Sequence, residues 1–197
     1  DIKINEPMSR HTTYGIGGAA DVFVMPQTEE QLMQILRKAD AEGIAVTVIG
    51  GGSNTLVSDK GIRGITICMN RMKQEMTCEG EWITASGGTG TGTVARFAEK
   101  NSLKGFEWAV GIPGTVCGAV FMNANGYGSQ MKRVVEEVYA ITRDGKEKKT
   151  YGWDDLHYGD SDSIFMHNGD IIVGVKLHLS PGNPGEIKRE MTEHQIS

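Results

Sequence analysis

The chain has 197 residues, a net charge of −5, 39% hydrophobic and 23% charged residues, an ordinary globular composition that could fill one large domain or two small ones. It has no basic stripe for nucleic acid, no apolar run near the roughly 20 residues that span a bilayer, and no visible signal peptide. With three cysteines (Cys68, Cys78, Cys117) outside any metal-type spacing, the reading is a cytoplasmic protein with free thiols and with neither a nucleic-acid nor a membrane partner.

In chain order, "ADVFVM" predicts a strand. "TEEQLMQILRKADAEG" predicts a helix: Thr28 and Gln31 fit a capping box, Leu32, Ile35, Leu36 and Ala39 recur at helical spacing, and Gly43 sits where a left-handed cap belongs. "AVTVIG" and "GIRGITICM" predict two further strands, giving a compact α/β unit. After Arg71 the pattern changes. "EWITASGGT" reads as strand into turn, and "TVARFAEKN" as a short helix burying Val94, Phe97 and Ala98. "VVEEVYAITRDGKEKKTY" reads as a hairpin with a two-residue Asp144-Gly145 turn. "DIIVGVKLHL" reads as a strand with one face buried, and "KREMTEHQIS" as a helix cut short, with no role for the terminal Ser197. The pattern predicts an α+β fold with subdomains at 1–70 and 71–180, followed by a truncated helix or linker over 181–197.

Glycine stands apart from the ordinary composition. An average share would give about 14, whereas the chain has 27, and they cluster. Gly50-Gly51-Gly52-Ser53-Asn54 directly follows a predicted strand. Successive backbone N–H groups in such a loop can converge on an anion, usually phosphate, and the Ser53 and Asn54 side chains add donors. The competing reading is a tight turn without a ligand. No Gly-Lys-Ser/Thr follows, so the loop is not a Walker A motif. "GIGGAA" at 15–20 lacks the preceding strand and following helix of a Rossmann fingerprint. In the second cluster, Gly111, Gly114, Gly118, Gly126 and Gly128 surround Val116, Ala119, Val120 and Phe121. Small uncharged residues let a flat, elongated ligand lie against the backbone, with Asn123 and Tyr127 free to hydrogen-bond or stack; the competing reading is a close backbone crossing. Two such loops suit a dinucleotide with a central diphosphate.

"HTTYGIGGAAD", "VIGGGSNTLV", "GFEWAVGIPGTVCGAVFMNANGYG" and "DIIVGVKLHL" occur here in the order and spacing of the UDP-N-acetylenolpyruvoylglucosamine reductase (MurB) family, which nearly the whole chain resembles. The resemblance implies a two-subdomain α+β FAD-binding fold of the MurB/PCMH type, lacking the C-terminal substrate domain. It implies FAD as cofactor, NADPH as hydride donor and a UDP-sugar substrate whose enolpyruvyl ether is reduced in peptidoglycan synthesis. Gly50, Gly51, Gly52, Ser53 and Asn54 would hold the FAD diphosphate. Gly111, Ile112, Pro113, Gly114 and Val116 would line the flavin and its ribityl and phosphate segments; Gly118, Ala119 and Asn123 continue that wall, Gly128 closes it, and Ile172 contacts FAD through its backbone. Cys117 stands where the family has glycine, and Asn125-Gly126 where it has a pair of small residues.

The resemblance fails at the catalytic equipment. The family's Gly-Tyr-Arg-x-Ser stretch is "HYGDSDSIF" here, with Asp160 at the tyrosine and Ser161 at the arginine. An aspartate would repel a developing enolate where an arginine stabilises it. Tyr158 could substitute only if the loop shifted, and no second arginine is close by in the sequence. The family's proton-donating serine and its partner glutamate belong to the C-terminal domain, so no catalytic residue is assigned. Of the remaining residues, His11 reads as a hydrogen-bonding surface histidine, Trp108 as core packing near the glycine cluster, and the Asp154, Asp155, Asp160 and Asp162 group as solvated carboxylates. Oligomeric state is left open.

Overall fold

The computed structural model describes residues 1–196; Ser197 lies outside the described residues. The first part of the chain builds a four-stranded sheet. β1 (Ile2–Pro7) pairs antiparallel with β2 (Ala19–Val24), and α1 (Glu29–Glu42) crosses over to β3 (Val46–Ile49). β4 (Ile62–Cys68) then inserts between β2 and β3, parallel to both. The caps of α1 are those the spacing predicts: Thr28 Oγ1 accepts the Gln31 amide at 3.2 Å, and Gly43 takes φ 65°. The box closes one residue further out, however, because Gln31 Oε1 takes the Gln27 amide at 2.9 Å. β1, which the sequence reading does not include, is an edge strand with Ile2 and Ile4 exposed.

The second part follows with β5 (Met76–Glu79), β6 (Trp82–Ser86), α2 (Thr91–Lys100), β7 (Leu103–Lys104), α3 (Val116–Phe121), β8 (Asn125–Gly126) and β9 (Ser129–Gln130). β10 (Val135–Ile141), β11 (Lys148–Gly152), α4 (Phe165–Asn168), β12 (Ile171–His178), β13 (Ser180–Pro181) and α5 (Pro184–Ile196) complete it. Five of these strands form an antiparallel sheet in the order β11-β10-β12-β6-β5.

β12 departs from the sequence reading. Ile171 and Val173 join Leu32, Leu36 and Ile67 in a core shared with α1 and the first sheet. Ile172, Val175 and Leu177 face the other way, into the larger core with Val94, Val116 and Trp108. Both faces of the strand are buried because it is the central strand between two cores. A third cluster, with Met8, Phe23, Ile49, Val57 and Cys68, fills the opposite face of the first sheet. Among the described residues no helix is long and apolar enough to cross a membrane, and no group of side chains could hold a metal ion.

The hairpin between β10 and β11 is longer than a two-residue turn. Thr142 N–H donates to the Glu147 carbonyl at 2.9 Å, and Gly145 N–H to the Thr142 carbonyl at 2.8 Å. Its tip is seated on α1: Arg37 Nε donates to the Gly145 carbonyl at 2.9 Å. Gly145 has φ 73°, and a Cβ there would lie 2.6 Å from the Met33 carbonyl oxygen and 2.8 Å from Leu36 Cβ. Gly80, at φ 60°, has nothing within 4 Å of its would-be Cβ. Gly80→Ala is therefore expected to lose only the left-handed penalty, about 1–2 kcal/mol. Gly145→Ala adds a backbone clash and is expected to lose more than about 3 kcal/mol. Urea unfolding of both variants checks the order; equal losses would mean that the hairpin tip is not pinned to α1.

Candidate functional site

A cleft of about 830 Å³ runs along the junction of the two sheets, within the size range of small-molecule sites. One wall is the end of β3 and the loop 50–55. The facing wall is the segment 112–115 with Cys117, Gly118, Ala119, Phe121 and Met122 from α3 and its end. The rim comes from Arg143, Ser161 and the stretch 165–172.

The two glycine clusters meet here, backbone against backbone. A Cβ on Gly51 would lie 3.2 Å from Gly114 Cα, one on Gly50 2.9 Å from Thr115 Oγ1, and one on Gly114 (φ 92°) 2.6 Å from Ser53 Oγ. Ser53 Oγ donates to the Pro113 carbonyl at 3.4 Å, tying the walls together. Among the described residues, no protein acceptor takes the N–H of Gly51, Gly52, Ser53 or Asn54. A run of backbone donors left without partners in a glycine-lined concavity fits an anionic group such as a diphosphate. The uncharged lining that Ile112, Ala119 and Ile172 give beside it fits a flat ring system. On these observations the residues present fit FAD.

The amino-terminal segment backs the loop. Thr13 N–H donates to the Gly52 carbonyl at 3.0 Å. Gly52 (φ 68°) leaves no room for a side chain, because its Cβ would fall 1.9 Å from the His11 carbonyl oxygen. His11 Nε2 lies 2.8 Å from Glu6 Oε1, and the imidazole stacks on Phe23 with centroids 4.1 Å apart. His11 is thus half-buried support for the loop.

Of the residues singled out in the sequence, Gly50, Gly51, Gly52, Ser53, Asn54, Ile112, Pro113, Gly114, Gly118, Ala119 and Ile172 come together on this cleft. Four others lie elsewhere. The Val116 side chain is fully buried in the larger core. Asn123 is buried at φ 47° and clamps neighbouring loops, donating to the Gly159 carbonyl at 2.8 Å and accepting the Lys132 amide at 3.0 Å. Gly128 lines a separate pocket of about 360 Å³ together with Asp160. Gly111 faces α5, its would-be Cβ 3.4 Å from the His194 carbonyl oxygen. Trp108 is buried, edge-on to Phe106 at 5.5 Å.

The structure also brings in residues that no local pattern marks. Arg143, in the β10–β11 loop, reaches the cleft, so an arginine is present that is distant in sequence. Its guanidinium donates to the Val46 carbonyl, and burial holds its pKa below the ordinary value. Burial pushes the Cys117 thiol up to about 12, so this wall stays uncharged. Ser161, at φ 52°, lines the cleft, and His167 Nε2 sits 2.9 Å from both Asp162 carboxylate oxygens at the rim. Tyr158 packs against the larger core, where burial raises its pKa and its hydroxyl has no partner among the described residues.

Glu6 gives the loop support a pH dependence. The hydrogen bond with His11, helped by Lys3, outweighs burial and holds the carboxyl below its ordinary 4.5. A depressed folded-state pKa means the stabilisation is complete above 4.5 and is lost as pH falls through the folded value. Glu6→Gln is expected to flatten the acid side of the stability curve, measured as urea midpoints from about pH 6 to about pH 3. An acid limb as steep as that of the parent chain would assign the dependence to other carboxylates.

The FAD binding domain family matches residues 20–151. The UDP-N-acetylenolpyruvoylglucosamine reductase of Clostridioides difficile (strain 630) is 38% identical over 193 residues, covering 98% of this chain and 63% of the relative. The enzyme of the same name from Lactiplantibacillus plantarum is 39% identical over 193 residues, with 98% and 63% covered. The chain thus spans about 63% of the length of these relatives. The crystal structure of the reductase (MurB) from Thermus caldophilus superposes with a TM-score of 0.78 at 30% identity, covering 100% of this chain and 68% of that one. A 4-ethylphenol oxidase from Gulosibacter chungangensis shares the fold, with a TM-score of 0.61 at 16% identity over 83% of this chain and 35% of that one. With both glycine walls in place and these matches along its length, the chain belongs to the UDP-N-acetylenolpyruvoylglucosamine reductase family, of which it carries the flavin-binding part.

Proposed function

We propose that the chain binds FAD in the cleft between the glycine walls and forms the flavin half of a cytoplasmic, NADPH-dependent reductase acting on an enolpyruvyl UDP-sugar. The observation that carries this reading is the meeting of Gly51 with Gly114 beside N–H groups that the fold leaves without acceptors. Residues 1–70 and 71–180 act as the two FAD-binding subdomains, and 181–197 leads toward the part of the relatives that this chain does not span. Bound FAD would supply the hydride relay from NADPH to the enolpyruvyl double bond. The chain's own residues bind and orient. The amides of Gly51 to Asn54 would hold the diphosphate, Ile112 to Gly114 and Ala119 would exclude water from the ring, and Ile172 would meet FAD through its backbone. Arg143 adds positive charge at the rim.

A second reading has its own support. Asp160 and Ser161 stand where the family pattern has tyrosine and arginine, and Tyr158 packs, partly buried, against the larger core and does not line the cleft. On this reading the chain is a flavin-binding module without reductase activity. No residue here is assigned to protonate the product of hydride addition, a step that needs a positioned acid.

The visible spectrum of the purified chain, taken with FAD and then with NADPH under anaerobic conditions, separates the two. A flavin band is expected in either case. Bleaching by NADPH supports the reductase reading, and a band that persists supports the binding module. No flavin band after soaking would remove both. Gly51→Val, which wedges the walls apart at a position without positive φ, is expected to weaken FAD binding about tenfold or more with the circular dichroism spectrum retained. An unchanged affinity would mean that the ligand does not lie between the walls.

A further inference from the structure

α5 closes the described fold by packing on the 107–111 segment, with Ile187 and Met191 buried in the larger core. Near its end the Tyr127 hydroxyl donates to the His194 carbonyl at 2.7 Å. The Tyr127 ring stacks on the His194 imidazole, with centroids 4.2 Å apart and planes 20° from parallel. The same carbonyl faces the backbone of Gly111.

Tyr127 holds this contact from a strained position. It has φ 49° and Gly128 has φ 76°, so the pair forms the two-residue turn between β8 and β9 with both residues left-handed. Asn-Gly is the usual choice there, and a tyrosine in that region costs about 1–2 kcal/mol. Strain persists only where surrounding contacts hold it, and the contact observed is α5. The hairpin also touches the cleft wall: a Cβ on Gly126 would lie 3.1 Å from Ile112 Cδ1, and Ile112 lines the cleft. A continuous chain of contacts therefore runs from α5 through Tyr127 and Gly111 to Ile112 and Gly114, and from Gly114 to the phosphate-type loop.

We infer that Tyr127 is a positioning residue: by docking α5 it fixes the Ile112–Gly114 wall, so that helix docking and cofactor binding are coupled. The inference rests on the reading of the cleft as an FAD site. Coupling of this kind is reciprocal. Loss of the Tyr127 contact weakens FAD binding, and bound FAD tightens α5.

The test uses FAD titration by flavin fluorescence on the parent chain, Tyr127→Asn and Tyr127→Phe, with hydrogen exchange of α5 read with and without FAD. Asparagine suits the left-handed turn and removes both the ring and the hydroxyl. Tyr127→Asn is expected to bind FAD about fivefold or more weakly, and Tyr127→Phe, which loses only the hydroxyl, to fall between. Saturating FAD is expected to slow exchange across 184–196 in the parent and to slow it less in Tyr127→Asn. A purely structural tyrosine would leave that FAD effect unchanged. Equal affinities for parent and Tyr127→Asn, or α5 exchange that FAD does not alter, overturn the coupling while leaving FAD binding intact. A flat titration of the parent chain overturns the cofactor reading and the coupling with it. If Tyr127→Asn does not fold, Tyr127→Phe decides: parent-like affinity with parent-like FAD protection of α5 overturns the coupling.

Discussion

The contact between Gly51 and Gly114 sets the terms for the rest of the molecule. Two chain segments more than sixty residues apart approach until a single Cβ between them would sit 3.2 Å from a backbone carbon. Such an approach needs glycine on both sides and leaves backbone N–H groups facing the gap. Everything around it serves the approach. The His11–Thr13 segment holds the first loop from behind, Ser53 ties it to Pro113, and Thr115 starts α3 by accepting the Gly118 amide at 3.1 Å.

Much of this was legible in the sequence where the physics is local. α1 announced itself through Thr28, Gly43 and a helical row of apolar residues, because caps and periodicity act over a few residues. The glycine loop after β3 was legible as a backbone-permissive turn, but its three glycines are each also required by close packing, against Thr115, Gly114 and the His11 carbonyl, so their number alone did not separate a ligand loop from a tight turn. The second cluster was only half legible. Gly114 and Gly118 line the cleft, but Gly111 faces α5 and Gly128 serves a hairpin turn, and composition cannot separate a glycine that admits a ligand from one that admits a neighbouring backbone.

What stayed hidden is set by tertiary placement. Arg143 lies in a loop whose sequence predicts only a turn, and it reaches the cleft because Gly145 seats that loop on α1. β1 is an edge strand whose Ile2 and Ile4 alternate with polar residues yet stand exposed, so the alternation there marks no buried face. The departures at Asp160 and Ser161 were visible as letters, yet their consequence depends on where the two side chains lie. Asp160 lines the smaller pocket and Ser161 the cleft, so neighbouring residues serve two different cavities.

β12 carries a consequence for synthesis. Its side chains complete two separate cores, the division falling at the register shift between Ile172 and Gly174, one core built mainly from residues before 75 and the other from residues after it. A growing polypeptide therefore completes neither core until β12 has emerged, even though the first sheet and α1 are made far earlier. Domains usually fold as units while they emerge; here α1 can already cover one face of the first sheet, with Leu32 and Leu36 beside Val24 and Ile67, but that core stays unfinished until Ile171 and Val173 arrive.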